Sequence, residues 1–371
     1  MKKLLFLLVI VFNSIFINCS SGPENSTTET VDGVRYVHNL APLLKDAPKI
    51  ELELIHELGS VDEPDENYQF FKVYSVLYDN EGCLYVLDSG NGRVQKFGAD
   101  GKYLQTLGSM GEGPGEFNMA HMLEIDKNGL IYVSDQRGMK IEIFDKEGNN
   151  IDRIKLNSII INFRIVKGEY IAANLAYLSY SPLDPGDEYK LITVLDRDMN
   201  TVNRFGGIIK DENIRLERFI NSVWMDKDFD DNIYITFENH NRIEKYDSEG
   251  RLLLRIDQPI GYTIENGFVN RTVEGRSVNS LNLTTVTGNI SVDGKGRMWV
   301  STYLSQAEYD ADSKLIKPAD RNLSVFDPEG VLLCRIPYPG DNMAFIRILG
   351  DKAFFTDKEY VTVYVYNIKD K

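Results

Sequence analysis

An aromatic residue, an acidic residue and a glycine turn recur together along the chain, and this recurrence limits the fold more than any other feature. The segment is FGADG at Phe97, FDKEG at Phe144, LDRDM at Leu195, YDSEG at Tyr246, FDPEG at Phe326 and YNIKD at Tyr366, six copies in all. Successive copies are 47, 51, 51, 80 and 40 residues apart. A unit of that size cannot bury a hydrophobic face alone and has to stack on its neighbours. The same grammar precedes each copy. In YDNEGCLYVLDSGNGRVQKFGADGKYLQTLG, from Tyr78 to Gly108, one strand ends in Asp79-x-x-Gly82, and three more run Leu84–Leu87, Arg93–Phe97 and Tyr103–Leu107. A second copy uses Asp126, Gly129, Asp135 and Phe144, and weaker ones use Asp293 with Gly296, and Gly350. Short β-branched and aromatic runs between Gly, Asp and Asn turns are everywhere, while apolar runs at the helical period are scarce, so the class is all-β.

One glycine cluster tests that reading. Leu107 to Phe117 is LGSMGEGPGEF. A phosphate-cradling loop needs a strand before it and a helix after it, so that backbone N–H groups converge on the anion. Here the chain continues through a D-x-x-G turn into Leu130-Ile131-Tyr132-Val133, a strand and hairpin signal. The cluster is therefore expected to link one four-stranded unit to the next, with glycines at positive φ in a tight crossing.

The D-x-x-G, Y-V-x-D, N-x-R-V-Q-x-F and G-x-x-G-x-G-P-G-E-F elements together resemble the NHL-repeat six-bladed β-propeller, over roughly Ile50 to Lys371. The resemblance implies a single domain, residues 50–371, of six four-stranded blades. Leu58-Gly59-Ser60 repeats the start of the linker but has no inner strands ahead of it, and VTVYVYNIKDK stops after a third strand. The N-terminal segment Ile50–Glu57 is therefore expected to supply the fourth strand of the last blade, closing the ring and removing two sheet edges. Cys83 would then lie in blade one and Cys334 in blade five, too far apart to pair, as free and largely buried thiols.

The first 49 residues read differently. Met1-Lys2-Lys3 followed by LLFLLVIVF has the charged start and short apolar run of a secretory signal, residues 1–18. Cys19, followed by the polar run SSGPENSTTET, resembles the lipidated cysteine of a bacterial lipoprotein, although Phe16, Ile17 and Asn18 depart from the usual preceding box. Residues 19–49 are expected to be the lipidated cysteine and a flexible tether. The expected location is the bacterial cell envelope, exported and membrane-anchored. With 41 basic against 56 acidic residues the net charge is −15. That balance excludes a nucleic acid partner, which needs a basic patch.

Loops of a four-stranded blade alternate between two faces. The turns on one face are short, such as DNEG, DKNG and DSEG, and their Asp and Gly residues are turn chemistry. Every long insertion falls on the other face: Ala176–Tyr189, Tyr303–Arg321, and the connection DQPIGYTIENGFVNRTVEGRSVNSLNLT from blade four to five. Aligning the inner strands on their turns places Tyr74, His121, Asn162, Asn221, Gly288 and Phe345 at the channel mouth on this elaborated face. The neighbouring loops add Arg93, Arg137, Arg242, His240, Tyr180, Tyr303 and Arg321. These residues are the expected binding site, and no residue is assigned a catalytic role.

Two functions follow. The first is a binding or interaction module at the envelope, recognising a protein, peptide or glycan; no cofactor is expected for it. The alternative, implied by the resemblance to some six-bladed propellers, is a metal-dependent lyase or lactonase with its site in the channel. Of the four histidines, His38 and His56 lie in the tether and closing strand, which leaves His121 at the mouth and His240 in a peripheral loop. Zinc would need carboxylate help there, and calcium a set of oxygen ligands.

Overall fold

The computed structural model describes residues 25–43, 49–60, 62–168, 170–175, 189–273, 276–310, 315–340 and 342–371. Six four-stranded antiparallel sheets follow one another along the chain. From inside outwards, blade one is Val73–Tyr78, Leu84–Asp88, Arg93–Phe97 and Tyr103–Leu107, and blade two is Ala120–Ile125, Ile131–Asp135, Lys140–Phe144 and Asn150–Lys155. Blade three is Ile160–Val166, Tyr170–Leu175, Lys190–Leu195 and Thr201–Gly207, and blade four is Val223–Lys227, Ile233–Phe237, Ile243–Tyr246 and Leu252–Asp257. Blade five is Thr287–Val292, Met298–Tyr303, Arg321–Phe326 and Leu332–Pro337. Blade six is Met343–Leu349, Lys352–Asp357, Val363–Asp370 and, from the other end of the chain, Ile50–Leu58. Each inner strand touches the next, and the inner strand of blade six touches that of blade one. The ring is closed by the pairing of Ile50 with Asp370 through to Leu58 with Val363, as the leftover strands required.

The repeated letters have a local cause. Asp79 Oδ1 accepts from the backbone N–H groups of Glu81 and Cys83, while its other oxygen accepts from the Tyr85 hydroxyl at 3.0 Å. Asp126 with Tyr132 and Asp228 with Tyr234 repeat this arrangement, and in Asp293 the donor is the Trp299 indole at 2.9 Å. One carboxylate thus sets the inner hairpin turn and ties down the large ring six residues later, which is fully buried in each case. Burying a ring of this size contributes a few kcal/mol of hydrophobic stabilisation, of order 1.5–3. Blades three and six replace the turn by shorter connections, three residues between Val166 and Tyr170 and two, Gly350-Asp351, which explains their weak sequence match.

A second aspartate orders the links between blades. Asp88 accepts from Phe71 N–H at 2.7 Å, and Asp135 from Asn118 and Met119 N–H at 2.9 Å, so the end of the second strand fixes the start of the first. The glycine-rich link has φ values of +71° at Gly108, +151° at Gly111 and +72° at Gly115. A Cβ on Gly108 would lie 2.3 Å from the Phe117 ring. The Glu116 carboxylate accepts from Gly113 N–H at 2.7 Å, occupying a backbone donor that an anion would have used. Apolar packing lies between adjacent blades, in five clusters such as Leu77, Tyr85 and Val94 against Leu123, Ile131 and Phe144. The axis is left for polar groups.

Three local features differ from expectation. Ser26–Val31 and Val34–Asn39 form a β-hairpin around Asp32-Gly33, and its second strand pairs in parallel with Leu252–Asp257. Blade four is therefore six strands wide, and the flexible tether expected over 19–49 is corrected over 26–39. Val37 is fully buried against Ile256, and Asn39 bonds Gly330 and Leu332 of blade five, which supplies the order that the polar composition hid. A short helix, Ile214–Ile220, sits before blade four, capped by the Asn213 side chain. The blade four to five connection folds as a hairpin, Gly267–Val273 with Arg276–Asn282. Cys83 and Cys334 are free but only half-buried, and burial pushes the Cys334 thiol up to about 11. Residues 1–18 and Cys19 lie outside the described residues. Among those described, no helix is long and apolar enough to cross a membrane.

Candidate functional site

Five of the six inner strands carry a register shift near the loop-rich face. The shifts fall between Val73 and Ser75, Ala120 and Met122, Ile160 and Asn162, Thr287 and Ile290, and Phe345 and Arg347. A β-bulge puts two residues opposite one, so it re-aims the extra side chain. The extra residues are Tyr74, His121, Ile161, the Gly288-Asn289 pair and Ile346, and all line one cavity of about 320 Å3 on the ring axis. Blade four has no shift and contributes Trp224, which keeps 36% of its surface exposed.

The walls combine aromatic rings with polar side chains. Tyr74 meets His121 edge-on at 5.6 Å between ring centroids and Tyr360 at 5.9 Å. Burial lowers the His121 pKa, so the imidazole is neutral at physiological pH. Arg321 lies over Tyr338 at 5.1 Å and Tyr303 at 5.9 Å, and donates to Met343 C=O at 3.2 Å. Burial raises the Tyr338 hydroxyl pKa, and that hydroxyl shares a 2.6 Å hydrogen bond with Ser301. Asn162 is 2% exposed; its amide donates to Val223 C=O at 3.2 Å, while its Oδ1 and the buried Thr356 hydroxyl have no partner. An unpaired buried acceptor costs roughly 1–3 kcal/mol, so Asn162 is held ready for a donor.

Beneath this cavity the channel is floored by charge. Arg164 Nε reaches Asp226 at 2.7 Å and Arg347 Nη1 reaches Glu124 at 2.8 Å, with cross-contacts of 3.4 Å to Glu124 and 3.3 Å to Asp226. Four blades thus meet in a neutral quartet whose side chains are 3–13% exposed. Burial acts to raise the Asp226 pKa, but the two guanidiniums outweigh it and hold the carboxyl below its usual range. Ser291 of blade five donates to Asp226 at 2.8 Å.

A metal does not fit these residues. Among the described residues no group of three His, Cys, Asp or Glu side chains converges, and the two carboxylates on the axis are engaged by arginine.

The structure gathers Tyr74, His121, Asn162, Gly288, Phe345, Tyr303 and Arg321 around the cavity. The others lie elsewhere. Asn221 caps the short helix and bonds Ile209 and Glu217; the inner strand of blade four begins two residues later than the alignment assumed. Arg93 is fixed by Asp88 at 2.8 Å and by the carbonyls of Glu66 and Gln69. Arg242 stacks on Phe237 at 4.9 Å and pairs with Glu244. His240 is half-buried beside it, its pKa lowered by burial and by Arg242, and Arg137 is exposed on a turn. Neither lines the cavity. Tyr180 lies outside the described residues. Trp224, Tyr338 and Tyr360 were missed: Trp224 by the same misalignment, the other two because they follow strands instead of lying in the long insertions.

A family model described as a 6-bladed beta-propeller matches residues 63–256. NHL repeat-containing protein 3 of Mus musculus is 30% identical over 82 residues, and that of Homo sapiens 33%. The matched stretch is 21% of this chain and 24% of each relative's length. Among solved structures, a protein described as exported, from Bacteroides fragilis NCTC 9343, superposes with a TM-score of 0.59 at 13% identity, covering 88% of this chain and 98% of that one. A member of the DUF4221 family from Bacteroides vulgatus ATCC 8482 gives 0.58 at 9% identity, covering 87% and 98%.

Proposed function

The chain belongs to the six-bladed β-propeller family DUF5128, and on that scaffold we propose an exported binding module of the bacterial cell envelope that recognises an envelope protein, peptide or glycan. Recognition uses the loop-rich face and the cavity that opens on it. The observation that carries this reading is the row of five bulges, which turns side chains into a lumen that the rest of the ring leaves polar and closed below. Aromatic and arginine side chains are what recognition sites concentrate, because they offer large rigid area with few torsions to freeze. The lyase or lactonase alternative asks for converging metal ligands, or a nucleophile beside a base. Among the described residues, the cavity lining has His121 as its one imidazole and contains no carboxylate.

Export rests on the signal-like residues 1–18 and anchoring on lipidated Cys19, with one structural neighbour described as exported in support. Cys19→Ser should move the protein from the membrane fraction to the soluble fraction; a wild type found soluble and unlabelled by a palmitate analogue refutes the anchor. For the site, Trp224→Ala and Tyr74→Ala should each weaken capture of the partner from envelope extract at least tenfold, about 1.4 kcal/mol. Glu249→Lys, in a turn on the plain face, should leave capture unchanged. The reverse pattern refutes the assignment.

A further inference from the structure

The cavity lining is unusual for so acidic a chain. Among the described residues, the 22 that line it include no aspartate or glutamate but three arginines. Two of these, Arg164 and Arg347, are neutralised by Glu124 and Asp226 below. The net charge of the wall is therefore that of Arg321. Among the described residues no carboxylate lies within ion-pair distance of its guanidinium, which is fixed by two tyrosine rings and the Met343 carbonyl. A guanidinium held in this way, with N–H groups still free, matches a carboxylate in the two-pronged geometry that makes such pairs strong. Arg321 also lines the adjoining blade-five cleft, where Lys358 adds a second cation and Lys317 a third, the latter 3.6 Å from Glu308. Asp320 also lines this cleft, and against it and Glu308 the three cations leave a small positive balance among the described residues.

Two further observations limit what carries that carboxylate. Elsewhere on the lining, Asn162 Oδ1 of blade three and Thr356 Oγ1 of blade six are buried without a partner among the described residues, so the ligand supplies hydrogen-bond donors besides its carboxylate. The same lining carries the rings of Tyr74, Trp224 and Phe345, flat apolar surfaces suited to the C–H face of a six-membered ring. The volume, about 320 Å3, is at the small end of ligand pockets, which run from roughly 300 to 1,000 Å3. Extending the binding reading above, on which this rests, we propose that the cavity binds a hexuronic acid ring, its carboxylate on Arg321 and its hydroxyls towards Asn162 and Thr356. The ring can be a free sugar or the end of an acidic glycan.

Calorimetric titration of the soluble domain with galacturonic acid, its disaccharide, galactose and 4-hydroxybenzoate separates the sources of affinity. Galactose differs from galacturonic acid only at the oxidised carbon, and 4-hydroxybenzoate keeps a ring and a carboxylate without the sugar hydroxyls. A uronate should bind at least tenfold tighter than galactose and than the aromatic acid. Arg321→Gln should abolish the preference over galactose, Arg321→Lys should retain part of it, and Asn162→Leu should weaken both sugars. Thermal melts of each variant check that the ring is intact. Equal binding of uronate and galactose, tighter binding of the aromatic acid, or an undiminished preference in Arg321→Gln overturns the proposal. If no uronate binds but Trp224→Ala still lowers capture from envelope extract, the ligand class is wrong and the binding site stands. If Trp224→Ala leaves capture unchanged, the site itself is wrong.

Discussion

Replacing Asp226 by asparagine tests the charged floor of the channel with almost no change of shape. In the wild type two guanidiniums face two carboxylates, and the side chains of Arg164 and Asp226 are each 3% exposed. Removing one negative charge leaves Arg164 and Arg347 sharing Glu124 alone, with a net positive charge on side chains only 3–13% exposed. Breaking a buried pair from one side costs about 3–5 kcal/mol, because the orphaned charge keeps its desolvation penalty. That loss should be read as a lower urea midpoint at unchanged m. Combining Asp226→Asn with Arg164→Met removes one charge of each sign and should recover a large part of the loss, since contacting residues couple by roughly 0.5–3 kcal/mol. The pH dependence has a definite sign. The folded pKa of Asp226 is depressed, so its contribution is present above the ordinary value of 3.8 and is lost as pH falls through the folded value. Asp226→Asn should therefore flatten the acid limb of the stability curve. A cost below about 1 kcal/mol, or a double variant that loses the full sum, refutes the reasoning.

Deleting Ile50–Leu58 should abolish cooperative thermal unfolding followed by circular dichroism, because it strips the fourth strand from blade six and uncovers Val363 and Val365. Deleting residues 25–43 should cost only a few degrees, since that hairpin adds to a sheet that is already complete; equal effects of the two deletions would sink the closure argument. The hairpin carries a pH-sensitive contact: the Asp257 hydrogen bond at 2.6 Å raises the His38 pKa above its ordinary 6.5, against the effect of burial. Docking is then strongest below pH 6.5 and weakens as pH rises through the folded value. Amide exchange at Arg35–His38 should accelerate over that interval more steeply than base catalysis alone requires, and His38→Gln should remove the excess.

The blades were legible because one residue does two local jobs. Asp79, Asp126, Asp228 and Asp293 each close a turn and hold a ring six residues on, so the pattern is written within a dozen positions. Closure was legible by elimination, from a strand without partners at each end of the chain. The hairpin at Ser26–Asn39 had its signal too, an Asp-Gly turn between β-formers, but its strands are largely polar and their docking depends on the edge of blade four, more than 200 residues away in sequence. The floor could not be read at all. Glu124, Arg164, Asp226 and Arg347 meet only once the ring has closed, and nothing local marks them as partners. Arginines chosen from loops fared unevenly for the same reason: Arg93 and Arg242 found carboxylates at Asp88 and Glu244, whereas Arg321 found two rings and a backbone carbonyl.

The quartet also decides how traffic through the cavity runs. With Glu124, Arg164, Asp226, Arg347 and Ser291 joined across the axis, a ligand that comes in from the loop-rich face would leave by the way it came. Arrival and departure then share one barrier, so a loop change that narrows the mouth slows both rates together and leaves affinity nearly where it was, whereas a change in the wall acts on departure alone. A long chain cannot be passed through such a cup. On the binding reading proposed above, only the end group of a polymer, and not its repeating interior, would reach the wall of this cup.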